Sequence, residues 1–228
     1  MTMIRQYPAS WLSGASLGEA VACELRLQII RGTIPQDEVL SENRIAADFG
    51  ISRSPVREAL RTLAAEGLLE LERMGAIVRG LDARDRKELY DVRYLIESFV
   101  QQQLAGQSNE GLLLRLGHII DRMELASKHM DSVEFTFQDL SFHEAIITEA
   151  RHNRILHLWK SIRQLVLTVM LITTENVFNE GEQRISYVIE KHRTLLECLR
   201  TGDAHVIEEA VRAYFADSRN TLDRSIPN

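Results

Sequence analysis

The residues between 52 and 57 have the types and spacing that suit contacts with a nucleic acid. In order along the chain they are Ser52, Arg53, Ser54, Pro55, Val56 and Arg57. Arg53 and Arg57 are four positions apart, so they share one face if the segment is helical. An arginine that donates two hydrogen bonds is the commonest reader of guanine, and serine hydroxyls suit phosphate oxygens. The alternative is that these arginines only form a solvated helix face.

The segment lies at the start of the third of three predicted helices. Apolar residues recur at helical spacing over Leu17–Arg31 and over about Glu42–Phe49. Ser54 is expected to cap the third helix, with Pro55 at its first position, where a missing N–H costs nothing. This third helix is predicted to end near Glu66. Two helices joined by a tight turn would therefore present the basic segment on the second of them.

A predicted β-hairpin follows the third helix. The runs 68–72 and 76–79 are β-like and are joined through Arg73, Met74 and Gly75. A glycine in this turn permits a tight tip, from which Arg73 would reach the DNA backbone or the minor groove. Helix, helix, turn, helix and hairpin is the order of a winged helix-turn-helix.

The rest of the chain is predicted to be an all-helical bundle. Apolar residues recur at intervals of three and four, with no convincing strand, through 84–105, 110–128, 133–150, 153–174, 182–200 and 204–224. The predicted fold class is therefore mainly α, with an N-terminal winged helix-turn-helix and a C-terminal bundle of about six helices. The predicted divisions are a flexible arm (1–15), a DNA-binding domain (16–81) and a helical effector-binding domain (82–228).

The charge and hydropathy of the chain limit its partners. The net charge of −6 over 228 residues argues at first against nucleic acid, but residues 51–65 contain three arginines and one glutamate. Phosphate contacts act within about a Debye length, ~8 Å, so a local basic face is sufficient. The chain shows no signal peptide and no segment approaching the ~18 apolar residues of a membrane span. It is expected to be soluble and cytoplasmic, with no membrane partner.

The N-terminal residues resemble the DNA-binding domain of the GntR family. The resemblance covers residues 17–80, and its most specific stretch is ISRSPVREALRTLAAEGL. It implies symmetric homodimers that bind palindromic double-stranded operators. An arginine often follows the glutamate that corresponds to Glu42, whereas this chain has Asn43 and then Arg44. Arg44 is therefore a further candidate for DNA contact.

The C-terminal residues resemble the FCD effector domain of the FadR subfamily. The segments ELYDVRYLIESFVQQQLA, FQDLSFHEAIITEARHNRIL and EKHRTLLECLRTGDAHVIEEAV carry this resemblance over residues 83–222. Many such domains hold a divalent metal with one aspartate and three histidines. Asp139, His143 and His192 match three of these ligands, and Tyr214 stands at the usual fourth position. Zinc, nickel or manganese suits such a set; the alternative is a hydrogen-bonded pair of Asp139 and His143 in a polar pocket.

Arg93 falls where the subfamily has an arginine that often faces the ligand cavity. An inward arginine suits a carboxylate effector because it can donate two parallel hydrogen bonds. The alternative is a structural ion pair with Glu97, four residues along the same helix.

These observations predict a sequence-specific transcription regulator, a repressor, controlled by a small carboxylate metabolite. One alternative is a regulator that responds to the metal itself without an organic effector. Another is a metal-dependent hydrolase with an appended DNA-binding domain. The first prediction implies that the protein is not an enzyme.

Overall fold

A computed structural model describes residues 5–73, 75–107 and 109–226. The chain divides into two compact units, Met1–Arg84 and Asp85–Asn228. The N-terminal unit contains a short 3-10 helix followed by α1 (Leu17–Ile30), β1 (Val39–Leu40), α2 (Glu42–Phe49), α3 (Arg53–Ala65), β2 (Leu69–Glu72) and β3 (Gly75–Val78). The strands form an antiparallel sheet in the order β1-β3-β2. This is a winged helix-turn-helix, as predicted.

The core of the N-terminal unit forms where α1 packs against α3. The buried side of α3 consists of Val56, Ala59, Leu60 and Leu63, which lie three and four residues apart. Arg26 of α1 and Glu66 after α3 form an ion pair of 2.6 Å with both side chains nearly buried. The opposite face of α3 is left for solvent, and that face carries the candidate arginines.

The predicted start of α3 needs correction. Ser54 does not cap α3, because the helix begins at Arg53 after Ser52. Pro55 is the third residue of the helix. A proline is tolerated there because the first N–H groups of a helix have no hydrogen-bond partner within it. The predicted arm is held in part by Glu24, whose carboxylate accepts the backbone N–H groups of Gln6 and Tyr7 at 2.9 Å.

The C-terminal unit is an all-helical bundle, which confirms the predicted class. Within its described residues the helices are α4 (Ala83–Leu104), α5 (Glu110–Lys128), α6 (Ser132–Glu149), α7 (Asn153–Glu180), α8 (Glu182–Thr201) and α9 (Ala204–Ser225). The end of α7 lies six residues beyond its predicted end, at Glu180 rather than Thr174. Val177 and Phe178 are buried there, and the Phe178 ring meets that of Phe135 at 5.3 Å. Burial of these side chains explains why the polar residues around them stay helical.

The prediction about membrane spans also needs correction, for α7. In length and composition this helix could cross a bilayer, with a mean hydropathy of 1.4 over its most apolar window. Half of that window is buried inside the unit. The core helix of a bundle has the same composition, because it must be apolar on most sides.

Candidate functional site

An exposed groove in the N-terminal unit brings most of the predicted DNA-contacting residues together. Arg53 and Arg57 of α3 line it together with Arg73 and Gly75 of the wing. The side chains of Arg53 and Arg57 are 58% and 46% exposed. A basic helix face beside a hairpin is the geometry with which winged domains enter a groove of DNA.

The remaining DNA candidates lie near this groove but do not line it. Ser52 and Ser54 are exposed at the start of α3, where the helix N–H groups also point outward and favour anions. Arg44 is exposed on α2 and lies 4.0 Å from Glu38. Contact of all these residues with DNA stays a prediction.

Glu42 is a residue of this groove that the sequence reasoning missed. Its carboxylate accepts two hydrogen bonds from Arg57, at 3.0 and 2.9 Å, and lies 3.8 Å from Arg53. The hydrogen bond from Arg57 holds the pKa of Glu42 below its usual value. Glu42 therefore orients the Arg57 guanidinium while reducing the local positive charge.

In the C-terminal unit, four polar side chains from three helices converge at a buried point. Nε2 of His192 on α8 lies 3.0 Å from Oδ1 of Asp139 on α6, and Nε2 of His143 lies 3.4 Å from the same oxygen. The Tyr214 hydroxyl on α9 lies 2.8 Å from Nε2 of His143 and 3.4 Å from Nε2 of His192. The structure thus brings together all four residues that the sequence proposed for a metal.

The outer nitrogens of both histidines are held by acceptors. Nδ1 of His192 donates to the Val188 carbonyl oxygen at 2.8 Å, and Nδ1 of His143 faces Oε2 of Glu97 at 2.5 Å. Such contacts orient metal-ligating histidines and place the proton away from the metal. An imidazole that is neutral and carries its proton on Nδ1 presents its Nε2 lone pair to the point beside Asp139.

Burial and neighbouring charges decide the ionisation of the acidic groups here. Burial alone would raise the pKa of Asp139, but its contacts with His192 and His143 outweigh burial and hold that pKa well below its usual range. Burial, aided by the Asp139 charge, raises the pKa of the Tyr214 hydroxyl. Asp139 is therefore a carboxylate anion and Tyr214 a neutral phenol, which would be a weak ligand for a metal.

The donor set fits a divalent cation. The candidate ligand atoms of Asp139, His143 and His192 all lie within 4.8 Å of one another, and the three residues are buried. Lone pairs of one carboxylate and two imidazoles that point at each other are stabilised by a cation between them. Two nitrogens and one oxygen, with a position left open, suit zinc or a similar transition metal.

A polar cavity adjoins this cluster, and Arg93 lines it. The cavity has a volume of about 40 Å³. Arg93 is 2% exposed, and its Nε donates to Oε1 of Glu97 at 2.7 Å. Its NH2 group is buried and has no hydrogen-bond partner in the described part of the chain. The ion pair with Glu97 is thus present, and one guanidinium nitrogen is still available to a ligand.

Comparison with known proteins places this arrangement in a family. Residues 17–78 match the model of the bacterial regulatory proteins of the gntR family, and residues 88–217 match the FCD domain. The gluconate operon transcriptional repressor of Bacillus licheniformis is 37% identical over 217 residues, which cover 95% of this chain and 89% of the relative. The repressor of the same name from Bacillus subtilis (strain 168) is 38% identical over the same shares.

The chain belongs to the GntR family and carries an FCD domain. It is a DNA-binding transcription regulator whose helical domain responds to a small ligand. The solved structure of E. coli McbR/YncC is similar in fold, with a TM-score of 0.69 and 19% identity over 92% of this chain and 98% of that one. GntR regulators bind operator DNA, and some FCD domains bind metals.

Lys191 is a cavity residue of this GntR regulator that the sequence reasoning missed. It lines the cavity, its Nζ lies 2.6 Å from Oδ2 of Asp217, and the same nitrogen lies 4.8 Å from the centre of the Tyr214 ring. Burial lowers the pKa of Lys191 although Asp217 opposes the shift. Its position directly before His192 was the only signal in the sequence for a place near the candidate metal site. Helical spacing alone would have placed Lys191 on a different face of the helix from His192.

The wing of the regulator depends on Gly75. Its φ is +157°, and a Cβ at this position would clash with the backbone carbonyl oxygen of Leu40 on β1. We expect Gly75→Ala to destabilise the wing by about 1–3 kcal/mol, because the backbone must shift to relieve the clash. Hydrogen exchange of the β3 amides should become correspondingly faster. Gly117→Ala on α5, where an added Cβ meets nothing within 4 Å, is the control, and equal exchange in wild type and Gly75→Ala would contradict the expectation.

Proposed function

We propose that the protein represses genes for the use of an aldonic acid, with gluconate as the first candidate effector, and that the acid releases it from its operator. The two gluconate operon repressors support this ligand class, because both align over nearly the whole chain. The observation that carries the proposal concerns Arg93, which lines the cavity and whose buried NH2 group has no hydrogen-bond partner among the described residues. A buried donor of this kind is costly unless a ligand satisfies it.

The side chains that line the cavity are suited to bind a polyhydroxylated acid. Arg93 would bind the carboxylate, with Lys191 as a second cation, and hydroxyl-bearing residues could bind the carbon chain: Tyr90, Thr173, Thr174, Ser218 and Thr221 all line the cavity. A volume of about 40 Å³ holds only a few waters, since one water needs roughly 10–15 Å³ by the same kind of measure. A six-carbon acid therefore has to widen the cavity, and this widening would favour a second arrangement of the helices.

A metal held by Asp139, His143 and His192 fits the same site. Zinc, nickel or manganese there would supply a Lewis-acidic position for an oxygen of the acid. The chain's own residues orient the ligands, exclude water by burial and hold the Tyr214 phenol neutral. We assign no catalytic role to this cluster, in keeping with the regulators to which the chain is related.

The DNA-bound form is proposed to be a cytoplasmic homodimer on a palindromic operator. Arg53, Arg57 and Arg73 would face each half-site, with Ser52 and Ser54 against phosphates. Two-fold symmetry in the protein requires the same symmetry in the DNA. A change in the helical domains would alter the spacing of the two winged units.

The small cavity favours one second candidate, a regulator that responds to the metal alone. A volume of about 40 Å³ suits an ion with its bound water better than a sugar acid. Operator affinity that changes on chelation in acid-free protein, and that gluconate does not alter, would favour this candidate.

The test of the effector is a titration of the protein–operator complex with gluconate. In wild type we expect gluconate to weaken operator binding. Arg93→Lys should bind the operator normally but need roughly 10- to 100-fold more gluconate, because a lysine keeps the charge and loses the directed second donor. Arg163→Lys is the control: Arg163 also pairs with a glutamate, donating two hydrogen bonds to Glu144, and does not line the cavity. An equal gluconate requirement in wild type and Arg93→Lys would contradict the assignment.

A further inference from the structure

Glu97 of α4 lies between the arginine of the cavity and a histidine of the candidate metal site. Its side chain is fully buried. Oε1 accepts the Nε–H of Arg93 at 2.7 Å, and Oε2 meets Nδ1 of His143 at 2.5 Å. Each oxygen of this carboxylate therefore serves a different partner.

When the His143 ring is neutral, the carboxylate decides which of its nitrogens carries the proton. An ionised carboxylate only accepts hydrogen bonds, so the nitrogen that faces Glu97 must be Nδ1–H. Nε2 then keeps a lone pair, which accepts from the Tyr214 hydroxyl at 2.8 Å. The same lone pair is the one that a metal beside Asp139 requires.

We propose that Glu97 is a positioning residue that fixes the His143 tautomer and so keeps Nε2 available as a metal ligand. The metal part rests on the proposed metal site, whereas the tautomer is a property of the metal-free protein. Second contacts of this kind commonly change metal affinity 10- to 100-fold.

The substitution Glu97→Gln separates this role from simple packing, because it keeps the shape and exchanges one acceptor for a donor. If the amide oxygen stays with Arg93, the amide NH2 faces Nδ1 of His143 and requires a lone pair there. If the amide is flipped, its NH2 faces the Arg93 Nε–H, and two donors oppose each other. Glutamine therefore favours His143 with the proton on Nε2, the tautomer that cannot bind a metal through that atom.

The first measurement is the tautomer of His143 in metal-free, full-length wild-type protein. Long-range proton–nitrogen correlation on protein with ¹⁵N-labelled histidine reports it for each of the seven histidines, and His143→Gln assigns the signal. At about pH 9, well above the ordinary histidine pKa, we expect the proton on Nδ1. A proton on Nε2, or an imidazolium that persists at this pH, would overturn the proposal.

The second measurement is zinc affinity by competition with a coloured chelator. Glu97→Gln is expected to bind zinc about 10- to 100-fold more weakly than wild type and to show the Nε2–H tautomer. Glu144→Gln is the control, since Glu144 lies on the same helix as His143 and pairs with Trp159 and Arg163 instead. Zinc affinity of Glu97→Gln within about twofold of wild type would contradict the proposal. If wild type binds no zinc, the metal site itself is wrong; if Glu97→Gln does not fold, the wild-type tautomer still decides the role of Glu97.

Discussion

Arg53→Ala and Arg57→Ala are each expected to weaken operator binding by about 10- to 100-fold. A bidentate arginine–base contact is worth roughly 1–3 kcal/mol of discrimination, and both side chains stand exposed on one face of α3. Loss of a base contact should lower the affinity for the selected operator far more than the affinity for random DNA. Selection of random duplexes on the purified protein, followed by titrations with operator and scrambled DNA, measures both quantities.

Arg212→Ala is the matched control for this pair. Arg212 is an exposed arginine of α9 that pairs with Glu208 four residues earlier at 2.7 Å, and it lies in the other unit. Equal losses of affinity for operator and for random DNA would mean that Arg53 and Arg57 contact phosphates only. Each substitution would then reduce the salt dependence of binding by about one released ion. Unchanged operator affinity in both variants would remove α3 from the DNA interface.

The contact between Glu42 and Arg57 does not prevent this role. Exposed ion pairs contribute little, about 0–1 kcal/mol, so a phosphate or a guanine can replace Glu42 as the partner of Arg57. Before DNA arrives, the two hydrogen bonds hold the guanidinium in one orientation. Less conformational freedom is then lost on binding.

Periodicity in the sequence was sufficient to predict most of the fold. It gave the bounds of α2 (Glu42–Phe49) and α5 (Glu110–Lys128) as the structure has them. It failed at β1, which has only two residues, and at the end of α7, where burial of Phe178 outweighs the polar local sequence. These two cases depend on tertiary contacts, which local propensity does not contain.

The candidate site was predictable where its residues follow helical spacing or the family pattern. Asp139 and His143 are four apart on one helix, and Arg93 and Glu97 are related in the same way. The contact between Glu97 and His143 joins residues that are 46 apart on different helices, and no periodicity encodes it. From the sequence, an ion pair of Arg93 with Glu97 and a contact of Arg93 with a ligand were considered as alternatives. The guanidinium has enough hydrogen-bond donors for both.

Removal of the carboxylate of Asp139 is expected to have the largest effect on metal binding. Asp139→Asn keeps the side-chain volume but replaces an anionic ligand, so zinc affinity should fall more than the 10- to 100-fold typical of an indirect contact. Tyr214→Phe should stay within a few-fold of wild type, because burial keeps the phenol neutral and a neutral phenol contributes little to binding a cation. Competition titrations with the metal-free full chain measure both affinities, and circular dichroism confirms that each variant folds.

The comparison of these two variants decides what the tyrosine does at the fourth position. If Tyr214→Phe loses as much zinc affinity as Asp139→Asn, Tyr214 binds as a phenolate, and the metal must lower its pKa against the effect of burial. If Asp139→Asn binds zinc as wild type does, the cluster is a hydrogen-bonded polar pocket and not a metal site. With the expected result, Asp139, His143 and His192 would hold the metal, which could supply a Lewis-acidic position for an oxygen of the proposed effector.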